Sequence, residues 1–244
     1  IEALGETGKA TYEKITKEVF AAECAELYPI ATRSYEAVNY KRAIECLERI
    51  ILMDEKYNNG ENCEIWGLMK PAREVAGDFY DFFFIDNDHL CLVIADVSGK
   101  GIPAAMFMTI SKIILANTAK LGKSPAETLE NANTAICPNN REEMFVTVWL
   151  AILEVSSGKL IAANAGHEYP IIKNGEGKYE LYKDKHGFVI GGMEGMKYRA
   201  GSMTLEPGDK IFQYTDGVTE ATNVNNELYG MERLGAILNK AKNG

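Results

Sequence analysis

The sequence predicts an α+β fold in which antiparallel sheets are covered by helices. Two observations indicate this class. Apolar runs separated by turn-forming residues recur along the chain, as at 82–85 and 89–95 around Asp86-Asn87-Asp88. Two adjacent helical patterns, at 103–120 and 125–136, then divide the strands into two groups, and a further helical pattern closes the chain.

Each element has its own local signal. Alternation of apolar and polar residues at 63–69 predicts a strand, and the two central helices each carry a proline in the first turn, Pro103 and Pro125. Turn residues at Ser156-Ser157-Gly158 and Asn174-Gly175 predict two more hairpins. The remaining predicted elements are strands at 144–155, 159–165, 169–173, 178–183 and 210–215, and an amphipathic helix at 227–242.

The chain is predicted to divide at the turn-rich stretch 58–62. Residues 9–56 contain good helix formers, with apolar residues such as Leu47 and Ile50 at helical spacing. We therefore expect a helical linker or signalling segment over residues 1–61, through which the protein forms a homodimer. Residues 62–244 are expected to form one folded domain.

Composition limits the classes of function. A net charge of -9 argues against non-specific binding to nucleic acid or to an anionic membrane. No apolar run approaches the roughly 18 to 20 residues of a membrane helix, and the first residues lack the layout of a signal peptide. The five cysteines form no C-x-x-C pair, which is typical of reduced thiols. Because the chain begins without methionine, we expect a cytoplasmic fragment of a longer, membrane-linked protein.

Asp96 directly follows the apolar run Leu92-Val93-Ile94-Ala95. An ionised carboxylate at the end of a core strand needs water, a cation or hydrogen-bond donors, because its burial without a partner is costly. An aspartate that caps the following helix is the alternative. The glycines after it do not form a phosphate loop, since position 94 is not glycine and position 101 is not serine or threonine.

Further aspartates follow the same pattern. Asp78, Asp96 and Asp216 each lie beside a predicted strand with a glycine close by. Carboxylates that converge at strand ends repel one another, and a hard cation with oxygen ligands is the usual remedy. The sequence therefore predicts a cation site formed by these residues.

Five segments occur in a characteristic order: PAREVAGDFYDFF, LVIADVSGKGIPAAMFM, MFVTVWLAILEVSSGKLIAANAGHEYPII, LEPGDKIFQYTDGVTEATN and YGMERL. In order and spacing they resemble the stage II sporulation protein E branch of the metal-dependent serine/threonine protein phosphatases (PPM, the 2C-type family). The resemblance covers residues 62–244. It implies a four-layer αββα sandwich of two antiparallel sheets flanked by helices, with a metal site at one edge.

The resemblance also implies a set of site residues. Asp78 and Asp96 match the carboxylates that bind two Mn²⁺ or Mg²⁺ ions and support catalysis, the backbone carbonyl of Val97 contributes, and Asp216 matches a further ligand. Asp81 is expected either near these ligands or as a solvated strand residue. His167 invites a general-acid role, but a structural role at the sheet edge is favoured. Lys100 is expected to be a solvated loop lysine, with phosphate screening as the alternative.

The resemblance implies one more strand and a paired aspartate after the last helix, and the sequence up to Gly244 does not contain them. Ala76 stands where the family often has glycine. We therefore expect either a truncated domain or a member with weakened metal binding.

The expected function is hydrolysis of a phosphorylated protein at serine or threonine by metal-activated water. The substrate that the resemblance implies is an anti-sigma-factor antagonist in bacterial signalling. A catalytically weak regulatory module that binds a partner is the main alternative, and a small-molecule phosphoesterase is another. Retention of Asp78, Asp96 and Asp216 favours an enzyme, because a binding module has no need of a carboxylate cluster.

Overall fold

The computed structural model describes residues 75–240, except 141 and 176, together with residues 63, 65 and 67–69. The chain divides into two compact units, Ile1–Gly67 with Ala72–Val75, and Leu68–Pro71 with Ala76–Gly244. The fold presented below is that of the second unit. The helical segment predicted over residues 1–61 lies outside the described residues, so this prediction and the domain boundary near residue 61 stay predictions.

Strands and helices occur in separate runs, as the sequence predicts for an α+β protein. Within the described part of the chain the order is β1 (Phe79–Phe84), β2 (His89–Val97), α1 (Ile102–Ala119), α2 (Pro125–Ile136), a 3-10 turn (Cys137–Asn139), β3 (Val146–Glu154), β4 (Lys159–Ala165), β5 (Ile171–Lys173), β6 (Tyr179–Leu181), β7 (Ala200–Thr204), β8 (Lys210–Phe212), α3 (Asp216–Thr219) and α4 (Gly230–Lys240).

The strands form two antiparallel sheets. The larger has the order β1-β2-β3-β4-β7 and the smaller the order β6-β5-β8. In β2, alternate residues face opposite sides, so that Val93 and Ala95 lie on one face and Leu92 and Ile94 on the other. Both faces carry apolar side chains, because each is covered by another layer of the fold.

The layers agree with the predicted αββα sandwich. On one face of the larger sheet, β2, β3 and β4 contact helices α1 and α2. On the other face, Trp149 and Leu160 form a core into which Ile211 of the smaller sheet packs. Leu234 of α4 packs with Ile171 and other residues of the smaller sheet in a separate core. This is the fold class that the sequence predicts.

The local signals that predict the central helices act as expected. Ser124 begins α2 with a capping box, in which its hydroxyl accepts from the Glu127 amide and the Glu127 carboxylate accepts from the Ser124 amide. Pro103 lies in the first turn of α1. The two helices therefore begin within one residue of their predicted positions.

Helix α1 corrects the statement that no apolar segment approaches the length of a membrane helix. Its 18 residues have a mean hydropathy of 1.4, so by length and composition it could cross a membrane. Its buried residues, among them Ala104, Met108 and Leu115, belong to the core beneath the larger sheet. A core helix passes the same test, and the finding is therefore weak evidence for a membrane span.

Two strand predictions need correction, and one strand was missed. The described positions among residues 63–69 form no strand. The strand predicted at 210–215 ends at Phe212, and β7 was not predicted. Four of the five residues of β7, AGSMT, are exposed at the sheet edge, and it therefore lacks the apolar alternation that marks a half-buried strand.

Candidate functional site

The site begins at the end of β2 that lies farthest from the β1–β2 hairpin. Asp96 is the penultimate residue of this strand and pairs with Thr147 of β3. Alternation places Asp96 on the same face as Ile94, toward the smaller sheet. The carboxylate therefore lies at the rim of the space between the sheets, where the sequence predicts a cation site.

Asp78 lies directly before β1 and reaches the same place. Its carboxyl group lies close enough to that of Asp96 to raise the Asp96 pKa. Burial, followed by the charge and hydrogen bond of Asp78 and the charges of Asp216 and Glu168, raises the pKa of Asp96 to about 8. Two carboxyl groups in contact can share a proton, and a cation that replaces this proton removes the repulsion between them.

Asp216 approaches from the other sheet. It is the first residue of α3 rather than the end of a strand, and the preceding Thr215 hydroxyl donates a hydrogen bond of 2.6 Å to Asp78 Oδ2. Burial raises the pKa of the Asp216 carboxyl, and so do the nearby charges of Glu220 and Asp78, while Lys100 acts in the opposite direction. Asp78, Asp96 and Asp216 are thus within electrostatic reach of one another.

Gly77 explains how the chain before β1 can approach Val97 so closely. A Cβ atom at this position would lie 3.0 Å from the Val97 carbonyl oxygen and 3.4 Å from the Val97 Cβ. That contact is tighter than ordinary van der Waals packing, so only glycine fits without a shift. The approach places the Val97 carbonyl oxygen, the predicted backbone ligand, beside the residue that precedes Asp78.

Sequence reasoning missed Glu168, Thr215 and Thr147. Burial and the charge of Asp216 raise the pKa of the Glu168 carboxyl, which places this acid at the margin of the cluster. The motif that drew attention to His167 contains Glu168 as well, and Thr215 precedes Asp216 directly. The sequence could therefore have indicated Glu168 and Thr215, because each lies next to a residue that was already a candidate. The position of Thr147 opposite Asp96 is known only from the strand register.

Asp81 does not belong to this cluster. It pairs with Val93, whose side of the sheet faces the helices, whereas Asp96 lies on the opposite face. Burial raises the pKa of Asp81 to about 6, and the charge of Lys120 at the end of α1 opposes the shift. Neither alternative considered from the sequence describes it, because Asp81 is a partly buried residue on the face of the sheet that packs against the helices.

His167 lies inside the protein, 2% exposed, with its Nδ1 atom 2.8 Å from the Thr147 hydroxyl. Burial lowers the pKa of its imidazole to about 4. A ring that stays neutral and is shielded from solvent is poorly suited to protonate a leaving group. The geometry favours the structural role.

The donor atoms of this site are oxygens, which hard divalent cations prefer. Among the described residues, no group of three or more His, Cys, Asp or Glu side chains stands in position to hold a metal ion. Mg²⁺ needs only one or two protein carboxylates, because it keeps several water ligands. The paired carboxyls of Asp78 and Asp96, with the Val97 carbonyl, fit that requirement.

Comparisons with known proteins agree with this architecture. The chain is 33% identical over 198 residues to protein IcfG of Synechocystis sp. (strain ATCC 27184 / PCC 6803 / Kazusa), covering 70% of this chain and 31% of IcfG. It is 31% identical over 177 residues to phosphoserine phosphatase RsbU of Bacillus subtilis (strain 168), covering 72% of this chain and 52% of RsbU. The chain thus spans about a third of one relative and about half of the other.

A solved structure shows the same fold. The SiaA-PP2C domain of Pseudomonas aeruginosa superposes with a TM-score of 0.62 at 20% identity, over 94% of this chain and 83% of that domain. The family model of stage II sporulation protein E (SpoIIE) matches residues 86–244, a range that contains Asp96 and Asp216. The chain therefore belongs to the SpoIIE family of PP2C-type phosphatase domains.

Proposed function

We propose that this protein is a divalent-metal-dependent phosphatase that removes phosphate from serine or threonine of a phosphoprotein. The observation that carries the proposal is the contact between the Asp78 and Asp96 carboxyl groups, with Asp216 in electrostatic reach. Its relative RsbU is a phosphoserine phosphatase, which supports the same reaction class.

Each site residue has a role in this proposal. Asp78, Asp96 and the Val97 carbonyl hold Mn²⁺ or Mg²⁺, with Asp216 completing the set for a second ion. When bound, such ions lower the pKa of a coordinated water and offset negative charge on phosphoryl oxygens. The Thr215 hydroxyl fixes the rotamer of Asp78 through its 2.6 Å hydrogen bond. Gly77 allows the chain to approach Val97 closely enough to bring both ligands together.

The proposed substrate is a phosphorylated anti-sigma-factor antagonist in bacterial signalling. Membership of the SpoIIE family and the similarity to RsbU support this substrate class. We place the reaction in the cytoplasm, where such a partner would be found. Dimerisation through residues 1–61 belongs to the same proposal, and sedimentation of the chain with and without these residues tests it.

A catalytically weak regulatory module is the second candidate. It is favoured by one observation, the lack of a group of three or more metal-ligating side chains in position among the described residues. Such a module would bind the phosphoprotein without turning it over. Metal binding without phosphate release would therefore distinguish it from the enzyme.

The decisive experiment measures phosphate release from a phosphoserine peptide and from an aryl phosphate, with Mn²⁺, with Mg²⁺ and with chelator. We expect release that requires the metal and is abolished by Asp96→Asn. Asp81→Asn is the matched control, since Asp81 lies on the opposite face of the same sheet. Metal-independent release, or equal loss in both variants, contradicts the proposal. Calorimetric titration with Mn²⁺ gives the number of ions, expected to be two.

A further inference from the structure

We propose that His167 is a positioning residue that orients the Asp96 end of the metal site through its neutral imidazole ring and the Thr147 hydroxyl. The inference rests on the proposed function, because it assigns His167 to the same site.

The backbone of His167 is fixed by Asn164 of β4. The Asn164 Oδ1 atom accepts a hydrogen bond of 2.8 Å from the His167 amide, and its Nδ2 donates to the His167 carbonyl at 3.1 Å. Asn164 is 1% exposed, and Gly166 between the two residues has a φ of 75°. This closed turn fixes the backbone position from which the imidazole reaches Thr147.

Thr147 connects the ring to the metal-ligand strand. Its hydroxyl lies 2.8 Å from His167 Nδ1 and donates to the Asp96 backbone carbonyl at 3.4 Å. A hydroxyl has one proton, so a hydroxyl that donates to Asp96 must accept from Nδ1–H. The chain of contacts therefore requires the neutral tautomer with the proton on Nδ1.

The other ring nitrogen, His167 Nε2, has no hydrogen-bond partner among the described residues. In the Nδ1–H tautomer this atom carries no proton, so no ring donor is left buried and unpaired. A displaced ring would thus disturb the Asp96 backbone through the Thr147 hydroxyl.

Neutrality is a condition for this role. A protonated imidazole has donors on both nitrogens and needs two acceptors and a counter-charge. Burial opposes protonation of His167, whose pKa is lowered to about 4. His167 therefore remains a fixed neutral contact through the range in which the enzyme is expected to work.

The test uses Thr147→Val and Thr147→Ser in the full chain, with His167→Leu as a second route to the same loss. Groups that orient metal ligands typically change metal affinity by about 10- to 100-fold. We expect Thr147→Val and His167→Leu to weaken Mn²⁺ binding by this factor in calorimetry. We expect Thr147→Ser, which keeps the hydroxyl, to stay within about 3-fold of wild type and so act as the rescue.

Thr109→Val is the matched control. Thr109 is also buried, but its hydroxyl donates to Ala105 within helix α1. Its loss should leave Mn²⁺ affinity unchanged, even where it lowers the melting temperature. Wild-type affinity in Thr147→Val and His167→Leu would overturn the role of His167 while leaving the proposed function intact.

A second measurement does not depend on metal. Nitrogen-15 chemical shifts of the His167 ring report its tautomer, and we expect the neutral Nδ1–H form between pH 5.5 and pH 8. Finding the Nε2–H form, or a charged ring, would overturn the inference. Absence of Mn²⁺ binding in the wild type, with the expected tautomer, would instead count against the proposed function.

Discussion

Asp78 and Asp81 differ by three positions in the sequence and lie in different chemical environments. Asp78 contacts another carboxyl group at the rim between the two sheets. Asp81 lies on the helix-covered face and interacts with the cation of Lys120. Carboxyl groups in both regions have raised pKa values, and burial is the largest cause for Asp96 as well as for Asp81.

The difference separates the candidate metal ligands from a carboxyl group that is only packed in the fold. Burial alone raises a carboxyl pKa at either place, but only the rim collects several acids that repel one another. A counter-charge lies near Asp81. The carboxylates at the rim instead repel one another, and a bound cation can relieve this repulsion. The sign of the neighbouring charges, rather than the size of the pKa shift, therefore distinguishes the two regions.

The largest expected effect comes from removing a ligand at the rim. Asp96→Asn should reduce phosphate release by at least about 100-fold, since even groups that only orient metal ligands are worth about 10- to 100-fold. Asp81→Asn should keep kcat within a few-fold of wild type. Steady-state kinetics with Mn²⁺ checks this, and a comparable loss in Asp81→Asn would erase the distinction between the regions.

Removal of the Thr215 hydroxyl should have the next largest effect. Thr215→Val deletes the hydrogen bond to Asp78 Oδ2 and frees that carboxylate to rotate. We expect Mn²⁺ affinity to fall by about 10-fold, with recovery in Thr215→Ser. Unchanged affinity in titration calorimetry would mean that Asp78 is oriented by other contacts.

A methyl group at Gly77 should disturb the rim through packing alone. In Gly77→Ala the added Cβ would lie 3.0 Å from the Val97 carbonyl oxygen, and relief of that contact requires a backbone shift. We expect a loss of about 1 to 3 kcal/mol in unfolding free energy, typical of overpacking. Gly201→Ala is the control, since nothing lies within 4 Å of the added atom. Equal losses in urea denaturation would contradict the close approach.

The smallest expected effect is a pH dependence that belongs to Asp81. Its pKa is raised from 3.8 to about 6, so the folded state binds more protons than the unfolded state between these values. The contribution of Asp81 to stability is therefore present below about pH 4 and is lost as pH rises toward 6. Urea unfolding in chelator should show that Asp81→Asn removes this part of the slope. If the dependence of the unfolding free energy on pH is unchanged in Asp81→Asn, Asp81 is exposed to solvent.

Much of this domain could be predicted from local patterns. Turn residues and helix-starting prolines located the β1–β2 hairpin and both central helices, because these signals act within a few residues. The edge strand β7 was missed because its small, exposed residues depend on pairing with β4 for their conformation. A local sequence pattern does not predict pairing between strands that are so far apart in the chain.

The proximity of the candidate ligands was predictable from the sequence, and their supporting contacts were not. Asp78, Asp96 and Asp216 were named from strand-adjacent position and family resemblance, and the structure brings them within electrostatic reach. Asp81 could not be assigned from sequence, since its face depends on the register with Val93. Thr147 became visible only through its pairing opposite Asp96.

Strand β2 lies between β1 and β3 and is paired with β3 from His89 to Val97. Its amides should therefore be among the slowest to exchange with deuterium, because exchange there requires the sheet to open. Asp78 and Asp216 lie outside the strands, in segments whose amides can exchange through local opening. Asp96 therefore lies in the part of the site that opens least. We expect metal binding to slow amide exchange around Asp78 and Asp216 rather than within β2.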